Sequence, residues 1–153
     1  MNNQNNLIDG LNTSQILVGL DLGSKTIGVS TSDALKIIAS PLSTIQRKGI
    51  KNDLNKLKEI LQDYNIGGFV LGLPISLDGN ENDQTLKIRK FSLDLQSFFS
   101  VPFEFWDERY SSDIIFKELR KSDFSNSKIK KKLDQQSAAY ILQGYLDKYR
   151  NTL

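Results

Sequence analysis

The sequence contains no cysteine and no histidine. The absence of cysteine excludes disulfide bonds and thiolate-bound zinc. The absence of histidine excludes imidazole general bases, the catalytic pairs in which histidine activates serine or cysteine, and histidine-bound zinc or iron. Any catalysis must therefore use carboxylates, lysines, hydroxyl groups, or a hard metal ion held by oxygen ligands.

Long apolar runs are also missing, so we expect no membrane-spanning helix and no membrane partner. The length of 153 residues fits one domain. Residues 1–14 are mostly polar and lack lysine and arginine, so we expect neither a signal nor a transit peptide there. This composition predicts a disordered extension at residues 1–14, followed by a single domain at residues 15–150, in a cytoplasmic protein.

The net charge is only +2, but the cations are unevenly distributed. Six basic residues and one acid occupy residues 120–132. We expect a basic loop between the helices predicted at 111–121 and 132–149, which either binds phosphate groups or is simply solvated. The lysines at its end are Lys128, Lys130, Lys131 and Lys132. A second, smaller basic cluster consists of Arg47, Lys48 and Lys51.

The hydrophobic pattern alternates between strand and helix periods along the chain. It predicts strands at residues 16–21, 26–32, 37–45, 67–74 and 101–106, and helices at residues 51–64, 83–99, 111–121 and 132–149. Later strands that arrive through helical crossovers should run parallel to the first. The predicted fold is therefore α/β, in the order β-β-β-α-β-α-β-α-α, with a mixed five-stranded sheet flanked by helices. Pro41 favours an edge position or a bulge for the third strand.

Acidic residues lie where these elements should meet. Asp21 ends the first strand and Glu108 follows the fifth, and ligands of such sheets gather beyond the carboxyl ends of parallel strands. Asp134 falls on the apolar face of the last helix, together with Ala138 and Leu142, so we expect it to point toward the domain body. Three converging carboxylates predict one or two Mg²⁺ or Mn²⁺ ions, which suit phosphodiester hydrolysis.

Simpler interpretations stay open for each of these features. Asp21 could be a turn residue, Glu108 could pair with Arg109 in solvent, and Asp134 could interact with the helix dipole. We interpret Asp107 as a helix N-cap or turn acid. The polar loop at residues 73–83 either contacts substrate or is a plain connection.

Five segments resemble the YqgF/RuvX family of RNase H-like nucleases, and the resemblance spans about residues 16–148. They are "GLDLGSKTIGVSTSD" (19–33), "IIASPLSTI" (37–45), "VLGLPISLDGNE" (70–81), "WDERYSS" (106–112) and "DQQSAAYILQGYLD" (134–147). The resemblance implies an RNase H-like fold and metal-dependent nuclease chemistry, with the family's three acidic positions at Asp21, Glu108 and Asp134. Many members carry arginine at the position of Thr26, so a phosphate contact there is either lost or provided by Lys25 or Arg109.

The family has been described as processing the 5′ end of precursor 16S rRNA in ribosome biogenesis and as resolving Holliday junctions. The expected partners are accordingly structured RNA, pre-ribosomal particles or branched DNA, with the protein a monomer or a homodimer. Phosphate contacts are expected from Lys25, Arg109 and the lysines at 128–132, and supporting roles from Gly23, Gly28 and Ser111. A non-catalytic assembly factor is a competing hypothesis. An actin-like ATPase is another, but such enzymes close two lobes of this kind around the nucleotide.

Overall fold

The computed structural model describes residues 6–75, 79–107 and 126–150, with side chains described from residue 136 onward in the last range. Its centre is a five-stranded sheet with the spatial order β3-β2-β1-β4-β5. The strands are β1 (Ile16–Leu22), β2 (Thr26–Ser32), β3 (Ala39–Gln46), β4 (Ile66–Leu73) and β5 (Phe103–Asp107). The β1–β2 and β2–β3 pairs are antiparallel, whereas β1–β4 and β4–β5 are parallel. The predicted mixed sheet is confirmed.

Strand β3 forms one edge of this sheet, as Pro41 predicted. Pro41 pairs with Ser30 directly after a register shift between Val29 and Ser30. A bulge at an edge tolerates a residue without an N–H donor, so proline costs no ladder hydrogen bond there.

The two faces of β1 pack against different helices. Ile16, Val18 and Leu20 belong to a core cluster that includes residues of α1 (Ile50–Ile60) and α2 (Asp83–Phe99). Leu17 lies on the other face, in a cluster with residues of α3 (Asn126–Arg150). Because side chains alternate along a strand, Gly19 and Asp21 share the α3 face with Leu17.

Helix α3 begins earlier than the sequence predicted. Residues 126–133 contain no glycine or proline that would end a helix, and lysine is a good helix former. Lys128, Lys130, Lys131 and Lys132 therefore lie on the first turns of α3. The prediction of a basic loop is wrong at Lys128, Lys130 and Lys131, whereas Lys132 was already the first residue of the predicted helix. The predicted helix at 111–121 lies outside the described residues, as do residues 76–78 of the polar loop.

The other helices match their predictions closely. Helix α2 spans the predicted residues and starts with a capping box between Asn82 and Thr85. Helix α1 ends at Ile60, so Tyr64 lies beyond it and is partly exposed. Within the described ranges, none of the helices combines the length and the apolar character that crossing a membrane requires.

The described part of the N-terminal segment, residues 6–15, is ordered against the sheet rather than disordered. Leu7 is buried, and its backbone N–H donates to the Tyr145 hydroxyl on α3 at 2.8 Å. Ile8 and Leu11 pack on the same cluster. The average composition of the segment is polar, but its few apolar residues pack against the cluster between the sheet and α3. The predicted disorder is therefore wrong for residues 6–14.

Candidate functional site

Asp21 occupies the carboxyl end of the central strand β1, on the face that α3 covers. It is half-buried and pairs with Gly28 of β2. On the other side, β1 and β4 pair as far as Leu20 and Leu71, and the next residues along the two strands are Asp21 and Gly72. The residues nearest to Asp21 across the sheet are therefore glycines on both neighbouring strands.

Close packing between β1 and α3 lies just below Asp21 on the same face. A Cβ atom placed on Gly19 would lie 2.7 Å from the Ala138 carbonyl oxygen and 2.7 Å from Leu142 Cβ. Ser30, the β2 partner of Gly19, donates its hydroxyl to the Ala138 carbonyl at 2.7 Å. Only glycine at position 19 allows the helix backbone to approach the strand this closely.

Helix α3 runs antiparallel to β1. Near the start of β1, the Gln143 side chain accepts the Ala39 N–H at 2.8 Å and donates to the Ile37 carbonyl at 2.9 Å. Further along β1, Ala138 lies against Gly19 and Ser30. The amino-terminal turns of α3 therefore extend toward the end of the strand that carries Asp21. Asp134 precedes Ala138 by about one helical turn.

The predicted inward face of α3 is observed wherever its side chains are described. Ala138, Ile141, Leu142 and Tyr145 are all buried. The side chain of Asp134 lies outside the described residues, as do those of the four lysines at 128–132. Glu108, Arg109 and Ser111 lie wholly outside them. Among the residues whose side chains are described, no group of three acids is arranged to hold a metal ion.

Asp107 differs from Asp21 in the face that it occupies. It pairs with Leu73, and it shares one face of β5 with Phe103 and Phe105 because the three residues stand at every second position. Phe103 and Phe105 pack on the α1–α2 side of the sheet. Glu104 and Trp106 lie on the α3 side, where Glu104 accepts a hydrogen bond from Tyr145. Asp107 therefore does not share a face with Asp21.

The turn that follows Asp21 is held by Arg47, which also pairs with the buried carboxylate of Asp53. The Gly23 N–H donates to the Thr26 carbonyl at 2.8 Å, which closes the turn around the exposed Lys25. Arg47 at the end of β3 donates its backbone N–H to the Lys25 carbonyl at 2.8 Å and its Nη1 to the Gly23 carbonyl at 2.9 Å. The Arg47 Nε atom lies 3.2 Å from Asp53 Oδ2.

Asp53 is the partner that sequence reasoning missed. Its side chain is only 1% exposed, and it also accepts the Lys48 N–H at 2.9 Å. It lies one turn before Leu57, on the apolar face of α1. The spacing argument that selected Asp134 would also have selected Asp53, and Arg47 was visible only as a member of a basic cluster.

The described acids do not by themselves identify a function, but the sequence matches a known family. A family model described as "RuvX: Holliday junction resolvase" matches residues 15–148. The chain belongs to the RuvX family. This confirms the resemblance predicted from the five sequence segments.

Curated relatives of this family cover nearly the whole chain. One from Paramagnetospirillum magneticum is 40% identical over 141 residues, covering 92% of this chain and 91% of its own length. One from Clostridium kluyveri is 41% identical over 132 residues, covering 86% of this chain and 96% of its own length. Both are named "Putative pre-16S rRNA nuclease".

Solved structures of RuvC from Thermus thermophilus have a similar fold. The structure titled "Thermus thermophilus RuvC structure" gives a TM-score of 0.52, covering 90% of this chain and 98% of that chain. A complex of the same protein with a Holliday junction substrate gives a TM-score of 0.51, covering 90% and 97%. At 12% identity in both cases, the likeness shows the fold alone, and it confirms the RNase H-like architecture.

Proposed function

We propose that this protein is a metal-dependent nuclease that hydrolyses phosphodiester bonds, with Asp21, Glu108 and Asp134 as the acidic residues of its active site. The observation that carries the proposal is the position of Asp21. It is the penultimate residue of the central strand β1, has glycines beside it on β2 and β4, and lies on the face toward which the amino-terminal turns of α3 extend. Glu108 directly follows β5, and Asp134 belongs to the turns of α3 that extend toward Asp21.

The available donor atoms fit a hard divalent cation. The chain has no histidine or cysteine, so its candidate metal ligands are oxygen atoms, which Mg²⁺ and Mn²⁺ prefer. When bound, such ions supply a water activated at neutral pH and neutralise charge on the phosphodiester. The three carboxylates hold one or two ions.

The remaining residues bind and orient the substrate. Lys25 lies on the turn directly after β1, is exposed to solvent, and contacts a backbone phosphate. Arg109 and the lysines at 128–132 contribute further phosphate contacts, the lysines from the first turns of α3. Gly23, Gly28 and Ser111 support the site.

The proposed substrate is the 5′ end of precursor 16S rRNA, which places the protein in the cytoplasm among pre-ribosomal particles. The names of the curated relatives support this choice. A four-way DNA junction is the second candidate, because the family description names a Holliday junction resolvase. Cutting a junction requires two incisions and favours a homodimer, whereas trimming rRNA can be performed by a monomer.

A direct comparison of the two substrates tests the proposal. The purified protein is incubated with a precursor 16S rRNA fragment and with a synthetic four-way junction, each with Mg²⁺, with Mn²⁺ and with EDTA. We expect metal-dependent cleavage of the RNA, and its loss in Asp21→Asn with the fold retained by circular dichroism. Equal cleavage by Asp21→Asn would remove Asp21 from the mechanism. Binding without any metal-dependent product would instead favour a non-catalytic assembly factor.

A further inference from the structure

A groove opens beside the turn after Asp21, on the side of the sheet opposite α3. Its main cavity has a volume of about 700 Å³ and is lined by backbone and side chains of the turn, the end of β3 and the start of α2. The described lining residues include Gly23, Ser24, Arg47, Gly49 and Lys87. A second cavity of about 360 Å³ shares Arg47 and Lys87 with the first. The two cavities are therefore adjacent, near the starts of α1 and α2, and together they are called the groove below.

The position of this groove relates it to the proposed active site. Its wall begins at Leu22, the residue directly after Asp21, and continues through the turn to Ser24. Leu22 points to the α1–α2 side, whereas Asp21 points to the α3 side. A strand of nucleic acid crossing this edge of the sheet would thus pass from the acidic residues over the turn and into the groove.

Within the described part of the chain, some cations near the groove have no ion-pair partner. Lys90 pairs with Asp94 at 2.9 Å, and Arg47 is held by Asp53 and the Gly23 carbonyl. Lys87 lines both cavities and is exposed, and it has no ion pair with any residue in the described part of the chain. The same holds for Lys25 on the turn and for Lys51 on the first turn of α1. Lys51 lines neither cavity itself but directly follows Ile50, which lines the second.

Acidic groups near the groove are fewer. Asp83 lines the main cavity, one helical turn before Lys87, and Asp53 is buried beneath Arg47. The walls also contain exposed apolar surface, from Ile50 at 39% exposure and Leu86 at 60%. Lysines that have no ion-pair partner among the described residues, beside exposed apolar side chains, fit a ligand that alternates phosphate groups with sugars and bases.

We propose that this groove binds the sugar–phosphate backbone of the substrate strand adjacent to the cleavage site, with Lys87 and Lys51 contacting phosphates and Arg47 holding the wall in place. The proposal rests on the proposed nuclease function, because it takes the same nucleic acid as the ligand. It adds a binding surface on the face of the sheet that the active-site acids do not occupy. It also gives a role to the basic cluster at residues 47–51.

Affinity measurements in an uncleaving background test this surface directly. Asp21→Asn serves as the parent, and a fluorescent single-stranded RNA from the precursor 16S 5′ leader is titrated by anisotropy at several salt concentrations. We expect Lys87→Glu and Lys51→Glu each to weaken binding by about threefold to tenfold, and to lower the slope of log affinity against log salt by about 0.7. Lys58→Glu is the matched control, because it makes the same charge change on an exposed lysine two turns further along α1.

The outcome separates this proposal from the nuclease assignment. If Lys87→Glu and Lys51→Glu bind RNA as Lys58→Glu does, the groove does not hold the strand, and an acidic protein partner becomes the better explanation of its lysines. If Asp21→Asn still cleaves RNA, the assignment of Asp21 fails, and the affinities of the lysine variants still decide the role of the groove.

Discussion

The hydroxyl of Ser30 donates a hydrogen bond to the carbonyl of Ala138 at 2.7 Å, and this contact fixes α3 against the strand that carries Asp21. It spans 108 residues of sequence and lies directly beside Gly19. The distance between β1 and α3 is therefore set by two small residues, Gly19 of β1 and Ser30 of β2. Several consequences for stability and activity can be measured.

Replacing Gly19 with alanine should push α3 away from β1. The new Cβ would meet the Ala138 carbonyl and Leu142 Cβ at 2.7 Å each, so a backbone must shift. We expect a loss of about 1–3 kcal/mol in the free energy of unfolding, measured by urea denaturation. Cleavage should fall by more than the loss of folded protein explains. Gly10→Ala is the control, because a Cβ there meets nothing within 4 Å, and an equal effect of both substitutions would contradict the argument.

Arg47 and Asp53 should be energetically coupled. Removing the Arg47 side chain leaves the buried Asp53 carboxylate without its cation, and breaking a fully buried pair costs about 3–5 kcal/mol. Because Arg47 is partly exposed, we expect a smaller loss of about 2–3 kcal/mol in the free energy of unfolding. In a double-mutant cycle of Arg47→Ala and Asp53→Asn, we expect a coupling energy above about 1 kcal/mol. Lys56→Ala removes an exposed pair with Glu59 and should change stability by less than about 0.5 kcal/mol. Additive effects of the two buried substitutions would show that the pair does not act as a unit.

The same pair should affect catalysis through the turn that it holds. Arg47→Lys keeps the charge but cannot donate to both Asp53 and the Gly23 carbonyl with the same geometry. We expect kcat to fall, because the turn begins two residues after Asp21, and KM to rise as well, because Arg47 also holds the wall of the proposed binding groove. A change confined to KM would instead indicate that Arg47 contacts the substrate itself.

Tyr145 should stabilise the attachment of the N-terminal segment. Its hydroxyl accepts the Leu7 N–H at 2.8 Å and donates to Glu104 at 2.8 Å. Tyr145→Phe leaves the buried Leu7 N–H without this partner and should cost about 1–2 kcal/mol. Tyr140→Phe, at a position 36% exposed, should be nearly neutral. Equal stability of both variants would show that the hydroxyl contributes nothing.

Tyr145 also predicts a loss of stability in alkali. Burial raises the pKa of Tyr145 well above its ordinary value, and the nearby Glu104 carboxyl raises it further, although the Leu7 N–H acts in the opposite direction. In the unfolded chain the phenol ionises near pH 10. Above that pH the unfolded state binds fewer protons than the folded state, so the free energy of unfolding should fall as the pH rises. The slope between about pH 9 and pH 11 should be shallower in Tyr145→Phe, and an unchanged slope would contradict the prediction.

Substitution of a proposed metal ligand should lower the affinity for metal, whereas substitution of Asp107 should not. Asp21→Asn, Glu108→Gln and Asp134→Asn should each weaken Mn²⁺ binding by at least about 100-fold, because even residues that only orient metal ligands contribute 10–100-fold. Asp107→Asn should change it little, since Asp107 lies on the opposite face of the sheet from Asp21. Isothermal titration calorimetry measures this without a substrate. Wild-type affinity in Asp21→Asn would contradict the proposed metal site.

The sequence predicted the elements that carry a strong periodic signal. Strand β1 and helix α2 have apolar residues at the expected spacings, and the edge position of β3 followed from Pro41. The start of α3 was missed because lysine-rich charge was interpreted as a loop, whereas lysine itself favours a helix. The packing of the N-terminal segment on the sheet was not predicted, because the average composition of the segment is polar and hides the contribution of its few leucines.

The candidate site was less accessible to sequence reasoning. The position of Asp21 at the end of a buried strand was visible in the pattern, but its glycine neighbours on β2 and β4 depend on strand register. The Arg47–Asp53 pair joins β3 to α1 and requires the packing of the two elements to be known. Contacts of this kind arise from tertiary structure and leave only weak traces in local sequence.

The span of the Ser30–Ala138 hydrogen bond has a consequence for synthesis of the protein. Strands β1, β2 and β3 pair with their sequence neighbours and can form early, but the helix that carries Asp134 can reach β1 only after the helix itself has been translated. A nascent chain that has emerged only as far as β5 would hold Asp21 in place without α3 opposite it. The proposed nuclease would then acquire activity only after α3 has been translated and has packed on the sheet, so a copy that lacks α3 could not cut RNA while still attached to the ribosome that makes it.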